Sequence, residues 1–262
     1  METKGNLLLV IDAQNDFCQP TGALYVEGAE KDIKNLSRFI QNHGANIDDI
    51  VLTQDVHHIL DISHPGFWID KNGEHPEAFT MISFKDINTG VWKPRFNVIE
   101  AAGYVKKLEQ QGEYPHIIWP EHCLVGSHGA AIAEEVMLAL VNWARQGNYF
   151  EVFQKGLNPL TEHFGALRAN IPIEKDTNTL INRALKSKLI NAQQIIVSGE
   201  AKSHCVANTI KQICEIEGLI EKTILLEDTC SNVRGFEELA VPIYEKAVSL
   251  GLSFSNTIDI KF

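Results

Sequence analysis

The sequence has no Cys-x-x-Cys pair, no apolar run of bilayer length and no surplus of positive charge, and each lack closes a class of function. Five cysteines stand at positions 18, 123, 205, 214 and 230. An odd, scattered set fits neither a disulfide framework nor a zinc-finger spacing, so each reads as a free thiol. The first apolar run, Leu7 to Ile11, is cut off by Asp12 before it could serve as a secretory segment or a span of ~20 residues, which points to a cytoplasmic protein. Lys and Arg number 23 against 34 Asp and Glu, a formal net charge of -11. Such a chain repels the phosphate backbone and anionic lipid, so neither nucleic acid nor membrane is expected as a partner. There is also no internal repeat and no low-complexity tract.

What is present is ordinary globular composition, 44% hydrophobic and 22% charged over 262 residues, which suits a single domain spanning 1–262 with an insertion. Short apolar runs alternate with amphipathic stretches. Asn6 to Asp12 reads as strand, Glu30 to His43 as helix and Asp48 to Asp55 as strand, a β-α-β unit. Further along, Ala131 to Arg145 reads as helix, Tyr149 to Lys155 as strand, Thr177 to Leu189 as helix and Gln194 to Gly199 as strand. Ser203 to Glu217 then reads as helix, Lys222 to Asp228 as strand, Phe236 to Leu250 as helix and Ser253 to Ile260 as an edge strand. This alternation predicts a three-layer α/β/α fold, a mostly parallel sheet of about six strands with helices on both faces.

The rhythm fails over about 56–115, where Pro65, Gly66, Gly73, Pro76, Gly90 and Pro94 punctuate a segment holding Trp68, Phe79, Trp92 and Phe96. Its aromatics argue against disorder, and a loop of this length in a compact domain is commonly a lid or binding loop. The alternative is a contact in a homo-oligomer.

In parallel α/β sheets, ligands bind outside the carboxyl ends of the strands, so the residue ending each strand is informative. Those ends are charged here: Asp12, Asp55 followed by His57, Lys155, and Gly199-Glu200-Ala201. One such residue alone would be read as a helix cap. Cys205 falls in the first turn of the helix after Gly199, where the helix dipole favours a thiolate, and is the candidate nucleophile. Cys214, nine residues on, faces the opposite side, and Cys18, Cys123 and Cys230 take the packing reading. From Asp55 to His64, three imidazoles and two carboxylates occupy ten residues, dense enough for a divalent metal, with His122 a distant candidate ligand; solvated loop histidines are the other reading.

With these ends in place, the sequence resembles the nicotinamidase and pyrazinamidase branch of the isochorismatase-like cysteine hydrolases over nearly its whole length. Asp12-Ala13-Gln14-Asn15-Asp16-Phe17 is similar to the family's D-x-Q-N-D-F opening. Asp55-Val56-His57 and Trp119-Pro120-Glu121-His122-Cys123 resemble its two metal motifs. Phe153-Gln154-Lys155-Gly156 resembles the catalytic-lysine motif, and Gly199 to Val206 the segment carrying the nucleophile.

The resemblance implies an amidase in which Cys205 attacks a carboxamide carbon and Asp12 moves the proton, while Lys155 keeps Asp12 ionised. The backbone N–H groups of Ala201 and Cys205 would form the oxyanion hole, with a cis peptide at Glu200-Ala201. Asp55, His57 and His122 would hold zinc or iron, which in the family receives the substrate's pyridine nitrogen, and Phe17 and Trp119 would border the ring. The small-molecule substrate is then an aromatic amide. His64 lies one residue further from His57 than the second histidine of two-histidine versions, and is the optional fourth ligand. Lys202-Ser203 replace the family's Thr and acidic residue. Two other readings remain at this point: a metal-free amidohydrolase of the same fold acting on an N-carbamoyl or ureido compound, and a catalytically silent binding module.

Overall fold

The computed structural model of the chain describes residues 4–262. Its strands are β1 (Lys4–Ile11), β2 (Asp49–Asp55), β3 (Trp68–Ile69), β4 (Lys93–Pro94), β5 (Phe150–Lys155), β6 (Ala192–Gly199), β7 (Thr223–Leu226) and β8 (Ser253–Ser255). Its helices are α1 (Asn15–Cys18), α2 (Ala29–His43), α3 (Phe84–Thr89), α4 (Val98–Gln111), α5 (Glu134–Ala144), α6 (Arg183–Asn191), α7 (Ala207–Cys214) and α8 (Val241–Ser249).

Six strands form one sheet in the order β5-β2-β1-β6-β7-β8, every pairing parallel. The expected fold class is therefore observed. β1 sits at the centre because its side chains are apolar on both faces. Leu8 and Val10 pack with Ile33, Leu36, Phe39 and Ile40 of α2 and with Val136, Leu140 and Trp143 of α5. Leu7, Leu9 and Ile11 point the other way, to Leu185 and Leu189 of α6, Ile210 and Ile213 of α7 and Ala247 of α8. A period of two divides one strand between two cores, and that division makes the three layers.

From β1 the chain builds outward through β2 and β5, then returns to add β6, β7 and β8 on the other side. The order reverses beside β1, and Ile11 is paired with Gly199 at the adjoining strand ends. A crevice opens at such a reversal. Gly199 is required there: its φ is 114°, and a Cβ would stand 1.9 Å from the Ile11 carbonyl oxygen.

The inserted segment is more ordered than its glycines and prolines suggest. It contains α4, fourteen residues that place Ala101, Tyr104, Val105 and Leu108 on one buried stripe. With Ile62, Phe67, Trp68, Ile82 and Ile118 these form a third apolar core. Other expectations shift at their edges: Thr177 to Leu189 is a short 3-10 turn followed by α6 from Arg183, and the strand expected over Lys222 to Asp228 is the shorter β7. Phe236 to Leu250 is helical only as α8 after a short 3-10 turn at Glu237–Leu239, and the last strand ends at Ser255. Among the described residues no helix is long and apolar enough to cross a membrane.

Candidate active site

Asp12 follows the last residue of β1, is fully buried and adopts a φ of 44°, a left-handed conformation that Asp tolerates better than most residues. Its Oδ1 accepts a hydrogen bond from Thr53 Oγ1 at 2.6 Å, and its Oδ2 lies 2.9 Å from Lys155 Nζ. Lys155 ends β5 two strands away, and its buried ammonium also lies 3.2 Å from Asp55 Oδ1 and 3.7 Å from Cys205 Sγ. The glycine after Lys155 has a structural cause: Gly156 has φ 80°, and a Cβ there would approach Asp55 Oδ1 to 2.7 Å.

The electrostatics follow from burial. Burial alone would lower the Lys155 ammonium, but Asp12 and Asp55 hold it well above its ordinary value, so it stays charged. Burial raises Asp12 against the opposing pull of Lys155. Asp55 is held well below the usual carboxylate range, the Lys155 and His57 charges outweighing its burial.

Cys205 sits, as expected, in the first turn of the helical segment after Gly199; that turn, Lys202–Val206, is wide and runs directly into α7, and the side chain is buried. Its thiol, however, is not depressed. Burial pushes it well above its ordinary value despite Lys155, and the Asp12 and Asp55 carboxylates push in the same direction. The candidate nucleophile thus rests as a thiol, which would need a base to attack, and Asp12 is within hydrogen-bond reach of it. The peptide bond between Glu200 and Ala201 is cis. Cys18, Cys123 and Cys230 are buried and Cys214 partly so.

Asp55, His57 and His122 bring one ligand atom each within 4.8 Å of one another. His57 Nε2 lies 3.0 Å and His122 Nε2 3.8 Å from Asp55 Oδ2. The other ring nitrogens have outer partners: His57 Nδ1 lies 3.1 Å from Asp61 Oδ2, and His122 Nδ1 lies 2.8 Å from the Pro120 carbonyl oxygen. An imidazole with Nδ1–H donated outward presents an Nε2 lone pair inward, the form that binds a metal. Burial lowers His122 to about 3, which keeps that ring neutral. The His64 ring lies 5.2 Å from His57 and 5.5 Å from His122. Its Nδ1 lies 3.2 Å from the His58 carbonyl oxygen, and its buried Nε2 has no hydrogen-bond partner. Three buried imidazoles and a carboxylate, with His64 Nε2 among the nitrogens left without a hydrogen bond, form a donor set that fits a divalent cation.

Phe17 and Trp119 line a pocket with Asp55, His122, Ala201 and Cys205. The sequence offered no reason to single out His204, Phe164, Glu162 and Val233, which line it as well. Glu162 is the least expected, a buried carboxyl that burial raises to about 7. The wider surface groove of about 620 Å³, between α4 and residues 171–175, holds none of the catalytic candidates.

Asp61 and Thr53 were legible only as neighbours of other residues; the structure gives each a partner. Beyond Asp12, the polar residues Gln14 and Asp16 of the opening motif serve the scaffold. Gln14 donates to the Asp55 carbonyl and accepts from the Asp55 N–H, pinning the end of β2. Asp16 accepts from the Cys123 N–H at 2.7 Å and so holds the segment that carries His122. Of the four aromatics singled out in the inserted segment, Phe79 reaches the pocket wall, its ring 5.9 Å from Trp119 and 6.3 Å from Phe236. Trp68 is wholly buried in the third core, and Phe96 stacks edge-on to Phe67.

No family model matches the chain. A nicotinamidase of Saccharomyces cerevisiae is 24% identical over 222 residues, 85% of this chain and 86% of its own length. One of Escherichia coli is 24% identical over 226 residues, 86% of this chain and 83% of its own. In structure, the yeast nicotinamidase bound to the inhibitor nicotinaldehyde superposes with a TM-score of 0.68 at 20% identity, covering 96% of this chain and 99% of that one. A Pyrococcus horikoshii pyrazinamidase in complex with zinc gives 0.55 at 18% identity, covering 96% and 98%. The resemblance read from the motifs, to the nicotinamidase and pyrazinamidase branch, is borne out in both sequence and fold.

Proposed function

We propose that this chain is a metal-dependent cysteine amidohydrolase converting nicotinamide to nicotinate and ammonia, with pyrazinamide-like aromatic amides as further substrates. The carrying observation is the convergence of Asp12, Asp55 and Cys205 on the Lys155 ammonium, at 2.9, 3.2 and 3.7 Å. Nicotinamidases matched over most of their length support the substrate.

In this reading Asp12 takes the Cys205 proton as Sγ forms a bond to the carboxamide carbon, and the carbonyl π pair moves to oxygen. The N–H groups of Ala201 and Cys205 hold that oxyanion. Collapse breaks the C–N bond, and Asp12 returns the proton to the departing ammonia. Asp12 then deprotonates the water that cleaves the thioester, which releases nicotinate and the free thiol. Lys155 keeps its proton throughout and holds Asp12 as a base. A divalent metal, zinc or iron, held by Asp55, His57 and His122 with His64 as a further donor, supplies when bound a Lewis-acid anchor for a pyridine nitrogen. Phe17 and Trp119 border the ring.

The clustered imidazoles weigh against a metal-free ureido hydrolase, and the buried Asp12, Lys155 and Cys205 against a silent binding module. Ammonia release from nicotinamide, measured on purified protein before chelation, after chelation and after zinc or iron is restored, tests the reading. Turnover lost and regained with metal is expected. No release from the metal-loaded protein would overturn it.

A further inference from the structure

Beside the pocket, and unused by the chemistry above, two buried carboxyls meet without a cation. Glu200 follows the end of β6 and Asp32 lies on α2, and each is less than a tenth exposed. Both are joined to one residue: Ser231 donates its N–H to Glu200 Oε2 at 3.2 Å and its hydroxyl to Asp32 Oδ2 at 2.5 Å. The two carboxyls are also within hydrogen-bond reach of each other. Carboxylates in such contact cannot both be ionised away from water. A proton held between them resolves this, because a protonated carboxyl can donate to an ionised one; Glu200 Oε1 is buried and has no other partner.

Ser231 joins this pair to the pocket. Its carbonyl accepts from the Lys202 N–H at 2.7 Å, at the start of the turn that carries Cys205. Two residues on, the Val233 N–H donates to Ser203 Oγ at 2.9 Å, in the same turn. Val233 lines the pocket, and Phe236 sets its ring 5.7 Å from Trp119 and 5.5 Å from His204.

We propose that Glu200 and Asp32 share one proton and, through Ser231, act as positioning residues that clamp the Val233–Phe236 wall against the turn bearing Ala201 and Cys205. The other titratable groups near the pair are Cys18 from α1, Glu30 and Lys31 from α2 and Cys230 from the loop after β7. Neither nearby cation forms a salt bridge with the pair: Lys31 makes none to it, and Lys202 is held by Glu227. Burial raises both carboxyls, Glu200 well above its ordinary value. The folded state therefore holds a proton that the unfolded chain releases. Its stabilisation is complete at acid pH and is lost as pH rises above the ordinary carboxylate range.

The catalytic arm of the test rests on the nicotinamidase reading; the stability arm does not. Glu200→Gln supplies a permanent donor, whereas Glu200→Leu keeps the bulk and supplies none. On metal-loaded protein, Glu200→Leu should raise KM for nicotinamide by ~10-fold or more with unchanged metal content, and Glu200→Gln should restore most of that loss. Between about pH 5 and pH 9 the wild-type melting temperature should fall further than that of Glu200→Gln. Equal kinetics for the Gln and Leu variants, or equal pH slopes for wild type and Glu200→Gln, would overturn the proposal. If Glu200→Leu does not fold, the comparison of slopes decides alone. If wild type releases no ammonia, the functional reading fails while the slopes still judge the pair.

Discussion

The two ends of the pocket floor share one residue and are built on opposite terms. Asp55 turns Oδ1 to Lys155 and Oδ2 to His57 and His122. At the Lys155 end, carboxylates, ammonium and thiol are held by protein groups alone. At the histidine end, three imidazoles crowd together and the His64 Nε2 remains unpaired. Asp55, His57 and His122 bring one ligand atom each within 4.8 Å of one another, a clustering of neutral and anionic donors that a cation would hold together. The first end is thus complete as folded, and the second is built around something the chain does not encode.

Breaking the Lys155 end should give the largest effects. In the proposed reaction Cys205→Ala removes the nucleophile and the covalent intermediate together, so kcat on nicotinamide should fall by at least ~10³-fold with metal content unchanged. Retained turnover would return Cys205 to the packing thiols. Almost as large are the losses for Asp12→Ala and Lys155→Ala, and these should not multiply. Each residue serves the other, so the double variant should fall to about the level of the worse single one. A full product of the two losses would mean independent roles.

At the histidine end the sharper readout is metal content. His57→Ala and His122→Ala should weaken zinc or iron binding by at least ~10- to 100-fold, measured by elemental analysis. Asp55→Asn should lose metal and also stay slow under excess metal, because it faces both ends. Wild-type occupancy in the histidine variants would exclude them as ligands, and a loss confined to His64→Ala would place the ligand set elsewhere.

The smallest effect belongs to the inserted segment. Excising Lys71 to Gly90 would disturb more than a lid, because Phe79 and Ile82 donate N–H groups to the Ile118 and His116 carbonyls just before Trp119. Phe79→Ala is cleaner. Phe79 is 47% exposed and its ring contacts are worth about 1 kcal/mol, so KM for nicotinamide should rise only ~5-fold while bulkier aromatic amides gain relative to it. Unchanged relative rates on small and bulky amides would show that Phe79 does not gate the pocket.

Much of this protein follows from one dimension. The apolar run of β1 is buried on both faces, and a strand with no polar side can only be central in a covered parallel sheet. Charged residues at successive strand ends share a crevice whenever those strands are parallel neighbours, so Asp12, Asp55 and Lys155 could be grouped before any fold was seen. The stripe of α4 was equally present at helical spacing, but flanking glycines and prolines hid it.

What only the tertiary structure decided concerns environment and partners. Whether Cys205 rests as thiol or thiolate depends on a balance between burial, Lys155 and two carboxylates that come from three other strand ends. Helix position alone gave the wrong sign. Glu200 stands in the sequence only as one more charged strand end, and the approach of α2 and the loop after β7 makes it half of a buried pair. Local pattern sets which face a side chain takes, because backbone geometry is local. Protonation, strain and pairing are set by groups far away in the chain, and those distances exist only once it has folded.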